Sequence, residues 1–430
     1  MKKQQLSCSP LILLILLLVC PLGARDFAVA LEEESAAAQA EQGDLLGAVA
    51  MYKAQYDPAT RQGLVALQQL AIEVLRLGLR LGDPYERNVV AGILGRRGDP
   101  GGLLVLDEAL RSDKPMLRRT AVDVLGDMAT PDAVGLLRRL YYKDMEGQRL
   151  ALSGLRRTRD RTALLLYLDA VSSTDTRIRT QGAGGLGELR SPAAVSVLQT
   201  LLKTEKDPIV AATLAWSLAA AGDPTGLAYL TAKLSDSNEQ VRDAIVGLLG
   251  SLDDPSVVPL LRTALQADSS EMVRTTAAAS LAHFKDASGL PLVQAALEHI
   301  DFRIRLAAAI SFTRMDYSIA KPLVIQALSS QDSLVRSNAY QVIGQNEDSS
   351  VAGEVIEAVD RERDLYAKVY GLWTVGRIGG AESLPKLLDL LPDEQEELRH
   401  ASAEALVLIS DRLLQSERLL QSDGVPKKNP

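Results

Sequence analysis

The chain has 430 residues, of which 47 % are apolar, 4 % aromatic and 24 % charged, with a formal charge of −8. A mean hydropathy of +0.04 excludes both a disordered polymer and a multi-span membrane protein. Two cysteines and three histidines exclude a disulfide-rich scaffold and a cysteine-based zinc module, and an aliphatic core with so few aromatics favours helix over sheet.

Residues 1–30 read as a secretory signal peptide. Lys2 and Lys3 precede the apolar run Leu11 to Val19, and small residues follow at Gly23-Ala24 and Ala28-Val29-Ala30. That run is shorter than the ~20 residues a membrane span needs. Cleavage is expected after Ala30, with Ala24 the alternative. Either removes Cys8 and Cys20, leaving a thiol-free chain suited to an oxidising compartment. A lipoprotein anchored through Cys20 is the competing reading, weakened by Val19, where a lipobox carries a small residue. The mature chain is thus expected in the periplasm or outside the cell, with no transmembrane span. Its charge is −10, from 44 basic and 54 acidic groups. Residues 86–190 carry an excess of four positive charges, too mild for a nucleic-acid footprint.

Residues 31–84 read as an N-terminal helical cap. The segment "GDLLGAVAMYKA" resembles the second half of one TPR unit, with Ala48 and Tyr52 at matching places, and an amphipathic stretch follows at 61–81.

From 85 to 410 one pattern organises the chain. Leu94, Leu125, Leu155, Leu186, Leu218, Leu249, Leu281, Phe312, Ile343, Val375 and Leu406 recur every 30–32 residues. Seven residues before each stands a basic residue, from Arg87 to Arg399, interrupted only by Gln148 and Ala211. Five residues after it comes Asp99, Asp160, Asp223, Asp254, Asp286, Asp348 or Asp411, often followed by proline. Each unit therefore reads as two helices: "EQVRDAIVGLLG", then the turn "SLDDP" with Asp254 as cap and Pro255 at the helix start, then "SVVPLLRTALQ". A single pair cannot bury its own apolar stripe, but stacked pairs can. The expected fold is all-α: an open, right-handed α-solenoid, an armadillo- or HEAT-like superhelix of about eleven units. Its contour would be about 90–110 Å. Residues 411–430 are expected to add a C-terminal capping helix and a loose tail.

Segments such as "NEQVRDAIVGLLGSLDDPSVVPLLRTAL" and "DPYERNVVAGILGRRGDPGGLLVLDEAL" resemble short HEAT repeats, of the kind also found in phycobilisome lyases. The resemblance covers about three quarters of the chain. It implies a protein-binding surface before it implies chemistry. It further implies that the basic column and the aspartates four residues before it in several units, Asp175, Asp301, Asp332 and Asp364, tie neighbouring repeats together, and that the arginine-bearing helix lines the concave face.

Features that could carry chemistry are few. "GAGGLG" at Gly182, Gly184 and Gly187 matches a dinucleotide fingerprint, but it falls in register inside a repeat helix with no strand before it. His283, His299 and His400 lie in different helices at no metal-ligand spacing. No nucleophile motif stands out, so no catalytic residue, cofactor or metal site is expected.

The column two residues before the repeated leucine lies opposite the apolar stripe on a helical wheel and is expected to be exposed. It holds both tryptophans, Trp216 and Trp373, and Ile310. Two readings stand for the tryptophans: anchors for an extended protein partner, or fillers at irregular repeats. Residues 208–222 carry no charge and are apolar on every face, so a partner, a second copy or a bend in the stack should cover them. The functional expectation is an exported, non-enzymatic scaffold that grips another protein through its concave face. A lyase-type enzyme, or a structural subunit of an envelope enzyme complex, is the alternative.

Overall fold

The computed structural model describes residues 36–300, 302–311 and 315–423, so the signal-peptide and tail readings lie outside the described residues. Among the described residues every regular element is helical. After a helical segment at 36–41 come α1 (Leu45–Gln55) and α2 (Arg61–Leu81). Eleven repeat helices follow, ten of which carry their member of the leucine column, whereas Phe312, next to the end of the eighth, lies outside the described residues. The first six are α3 (Pro84–Arg96), α5 (Pro115–Met128), α7 (Met145–Thr158), α9 (Thr176–Leu189), α11 (Pro208–Ala220) and α13 (Glu239–Gly250). The rest are α15 (Glu271–His283), α17 (Phe302–Ser311), α19 (Ser333–Gln345), α21 (Leu365–Ile378) and α23 (Glu396–Asp423). Between successive members lies one further α-helix each, α4 (Pro100–Leu110) through α22 (Leu384–Asp389). Each odd-numbered helix from α3 onward packs on the next, whereas the even-numbered ones barely touch one another. In a curved two-layer stack the closer-packed layer is the inner one, so the odd helices line the concave side.

The aspartate column behaves as its spacing predicts. Asp99, Asp160, Asp223, Asp254, Asp286 and Asp348 each accept a hydrogen bond from the backbone N–H two residues on, at 2.6–3.1 Å. Asp411 does not, because α23 runs unbroken through it. The expected boundary at 410/411 is therefore the middle of one long helix.

The arginine column links turns. Arg242 donates through Nε to Asp268 at 2.8 Å, in the turn after its repeat, and through Nη1 to the Asp236 carbonyl at 2.9 Å, in the turn before it. Arg179 pairs in the same way with Glu205 and the Ser173 carbonyl, Arg305 with Asp332 and His299, and Arg336 with Glu362 and Ser330. The Arg242 guanidinium holds the Asp268 carboxyl below its usual range. Where Gln148 interrupts the column, Arg149 beside it reaches Asp175 instead.

The stack is not open. Helix α2 packs along α23 in the most extensive helix pair among the described residues. Leu67, Leu70, Ala71 and Val74 of α2 belong to one apolar cluster with Leu398, Ala405, Ile409 and Leu414 of α23. Polar contacts line this seam: Glu86 with His400 at 3.1 Å, Arg96 with Glu404 at 3.1 Å, the Asp83 N–H with Glu396 at 3.0 Å, and Arg97 and Gln68 with Asp411. His400 is 2 % exposed and packs with its Nε2 edge on Gly78 of α2, where a Cβ would stand 2.1 Å from Nε2. The expected elongated arc is corrected to a closed ring. Twelve helices, α2 and the odd members α3 to α23, form its inner wall. At 8–10 Å per helix their axes lie on a circle of radius about 15–19 Å.

Candidate functional site

The inner wall is grooved where α7 to α17 face the lumen. The groove encloses about 880 Å³, and its lining includes Arg156, Arg159, Arg190, Trp216, Asp253 and Ile310. Its floor is made of small residues at the predicted column, Gly184, Gly247 and Ala279. Trp216 and Ile310 thus share one site, brought together by the curvature of the ring. Trp373 does not line the groove. It shares the column on α21, five of twelve steps round the wall from Trp216.

The exposure expected of this column holds only for Ile310, which is 43 % exposed. Trp216 is 8 % exposed and belongs to a core cluster with Val246, Leu249 and Ala277. Trp373 is half-buried, with the Arg377 guanidinium 5.2 Å above its ring. A single-helix wheel places the column away from the apolar stripe but ignores the preceding inner helix, which approaches closely. A Cβ on Gly187 would lie 2.2 Å from Trp216 Cζ3, and one on Gly344 would lie 2.4 Å from Trp373 Cζ3. Each indole therefore covers a glycine 29 residues earlier in the chain. That large-against-small pairing is the sequence signal the wheel misses.

Residues 208–222 are corrected likewise. Residues 210–218 of α11 are buried within the ring, against α9, α13 and the flanking shorter helices α10 (Val195–Thr204) and α12 (Pro224–Lys233). Ser217 Oγ reaches the Ala183 carbonyl at 2.6 Å. The apolar helix is covered by its own chain, so it offers no face for self-association. "GAGGLG" lies inside α9, as its register predicts, and its glycines admit neighbours: a Cβ on Gly185 would stand 2.4 Å from the Tyr167 ring.

The groove walls are polar and mostly self-paired. Arg156 donates to Glu188 at 2.6 and 3.1 Å. Asp253 accepts from Arg190 and lies 3.4 Å from His283 Nε2, and the Arg190 hydrogen bond holds its carboxyl below the usual range. This brace runs from the end of α9 to α15 and passes over the repeat that carries Trp216. Thr276 donates to Asp243 at 2.6 Å. Arg159 and Arg190 occupy equivalent helix ends, both with left-handed backbones at φ 51° and 48°. Neither they nor His283 stood out as site residues from the sequence, because their convergence depends on neighbouring repeats. Among the described residues no group of three His, Cys, Asp or Glu is placed to hold a metal ion, and no helix is long and apolar enough to cross a membrane.

The geometry defines a helical-repeat ring with a grooved inner wall, an architecture suited to binding protein. The family profile described as HEAT repeats matches in overlapping segments from 72–150 to 320–407. The chain belongs to the HEAT-repeat family. Among solved structures it is similar to human deoxyhypusine hydroxylase in complex with glycerol, at 16 % identity and a TM-score of 0.29 over 81 % of this chain and 99 % of that one. It is also similar to the CpcE–CpcF complex of phycocyanin lyase from Nostoc sp., at 20 % identity and a TM-score of 0.32 over 57 % and 94 % of the two chains. Kap121p matches at 11 % identity and a TM-score of 0.35 over 90 % of this chain and 48 % of that one. No curated protein matches the sequence.

Proposed function

We propose that this chain is an exported, non-enzymatic scaffold that holds a segment of another protein against the inner wall of its ring. The observation that carries this reading is the placement of Trp216 and Ile310 in one groove inside a closed lumen. Lumen size sets the kind of partner. Subtracting a helix half-diameter of about 5–6 Å from the axis radius leaves an opening roughly 20–26 Å across. A single helix or extended strand, about 10–12 Å wide, passes through it. A folded 100-residue domain, roughly 34 Å across, does not. Export rests on the order of basic, apolar and small residues over 1–30.

A photo-crosslinking amino acid at position 310 in intact cells tests the reading, with position 165 as the outer control, since Leu165 is 75 % exposed on α8 (Leu164–Ala170). The expected outcome is one discrete adduct from 310 and none from 165, on a protein whose N-terminus begins near Leu31. Adducts from 165 alone, or an unprocessed cytoplasmic chain, would overturn it.

A further inference from the structure

The charges of the groove do not cancel at one end. Arg156 is taken up by Glu188 and Arg190 by Asp253, whereas Asp243, on α13, accepts from Thr276 and keeps its negative charge. Arg159 is exposed, and among the described residues neither a carboxylate nor a carbonyl accepts from its guanidinium. It stands where the groove meets a smaller cavity of about 600 Å³, which it lines with Asp127, Arg157 and Gln181. There Arg157 is engaged by Asp123 and Asp127, whereas the Gln181 amide oxygen has no donor. The arginine end thus offers a free cation and an unsatisfied amide, while the far end offers Ala279 and the half-exposed Ile310.

The left-handed backbone of Arg159 belongs to the repeat. The same φ recurs at the equivalent positions of Ala129, Arg190, Lys285 and Glu347, and glycine takes the place at 98 and 222. What sets Arg159 apart is its unpaired guanidinium at the mouth of the groove.

Resting on the scaffold reading above, we propose that the groove selects a protein segment with a carboxylate at one end and aliphatic side chains at the other. The carboxylate pairs with Arg159, and the aliphatic part lies along the small-residue floor towards Ile310. The planar guanidinium suits this role, since its forked donors match a carboxylate.

Fluorescence anisotropy on the purified mature chain tests it with three labelled peptides: a leucine- and alanine-rich sequence ending in two glutamates, and the same sequence ending in two glutamines or two lysines. The glutamate peptide should bind roughly tenfold tighter than the glutamine one, a difference of ~1.4 kcal/mol. Added salt should erode that preference. Arg159→Ala should abolish the preference, and Ile310→Ala should weaken the glutamate and glutamine peptides alike. Ala129 occupies the equivalent position one repeat earlier, so Arg159→Ala keeps a backbone the fold tolerates. Equal binding of the three peptides, an unchanged preference in Arg159→Ala, or no binding of any peptide up to about 1 mM would overturn the inference. An adduct at position 310 would then still support the scaffold reading, which keeps the two failures distinct.

Discussion

Closure of the ring depends on one small residue. Gly78 lets the His400 ring lie against the backbone of α2, and a Cβ there would stand 2.1 Å from Nε2. Gly78→Leu overpacks this contact. Such insertions cost about 1–3 kcal/mol, and the ~0.8 kcal/mol that leucine gains over glycine in a helix stabilises α2 in the open and closed forms alike, so it does not offset them. The cost at the seam is therefore about 1–3 kcal/mol, enough to move a closed-to-open equilibrium by roughly 5–150-fold. His400 cannot yield without loss, because leaving its buried site breaks its 3.1 Å contact with Glu86. Small-angle scattering reads the outcome. Adding the outer helix layer gives the closed ring a maximum dimension of roughly 60–70 Å, against the 90–110 Å approached by an open arc. Gly78→Leu should lengthen the particle and lower its melting temperature. Gly135→Leu is the control, since a Cβ at Gly135 meets nothing within 4 Å. A wild-type particle already near 100 Å, or a Gly78→Leu variant that scatters and melts as wild type does, would refute the closed ring.

Three other outcomes are expected. Gly187→Ala should cost about 1–3 kcal/mol by driving a methyl group into the Trp216 ring, checked by thermal melting and a shift in tryptophan emission. Arg159→Gly should stabilise the fold by about 1 kcal/mol, by relieving a left-handed backbone, seen as a raised denaturation midpoint. Acidification should act in two stages, checked by melting across pH. Burial raises the Glu404 carboxyl although Arg96 opposes it, so the folded state takes up a proton above the ordinary glutamate range and stability rises as pH falls through that window. Asp348 is pulled to about 2, its burial outweighed by hydrogen bonds from Lys321, Ser350 and Tyr317, so its contribution is present above 3.8 and lost as pH falls towards 2. Glu404→Gln should remove the first stage and leave the second.

The repeat itself was legible because its signals are local. A leucine every 30–32 residues, an aspartate five later and an arginine seven earlier each act within a turn or between adjacent units. In sequence the ladder breaks at Gln148 and Ala211, and only the structure shows Arg149 taking over beside the first gap. Closure was not legible. It rests on pairs such as Glu86 with His400 and Arg97 with Asp411, more than 300 residues apart, and on the sum of small rotations that no single repeat encodes. Asp411 illustrates the difference: by column it reads as a cap, yet it serves the seam. The candidate site was half legible. The column of Trp216 and Ile310 was found, but the depth of Trp216 depends on Gly187, and the role of Arg159 depends on which neighbouring cations are already paired.

Closure changes the boundary condition under which the repeats hold together. In a linear array the terminal units have one neighbour each and fray first, so local stability falls off towards both ends. Here α2 and α23 are neighbours, and every member of the inner wall is flanked on both sides. Breaking one joint of a linear array releases a piece, whereas a ring with one broken joint is still a single connected arc. Two joints must fail together before any segment comes free. Amide hydrogen exchange should therefore be slow all the way round the inner wall, with α2 and α23 as protected as α11 on the far side.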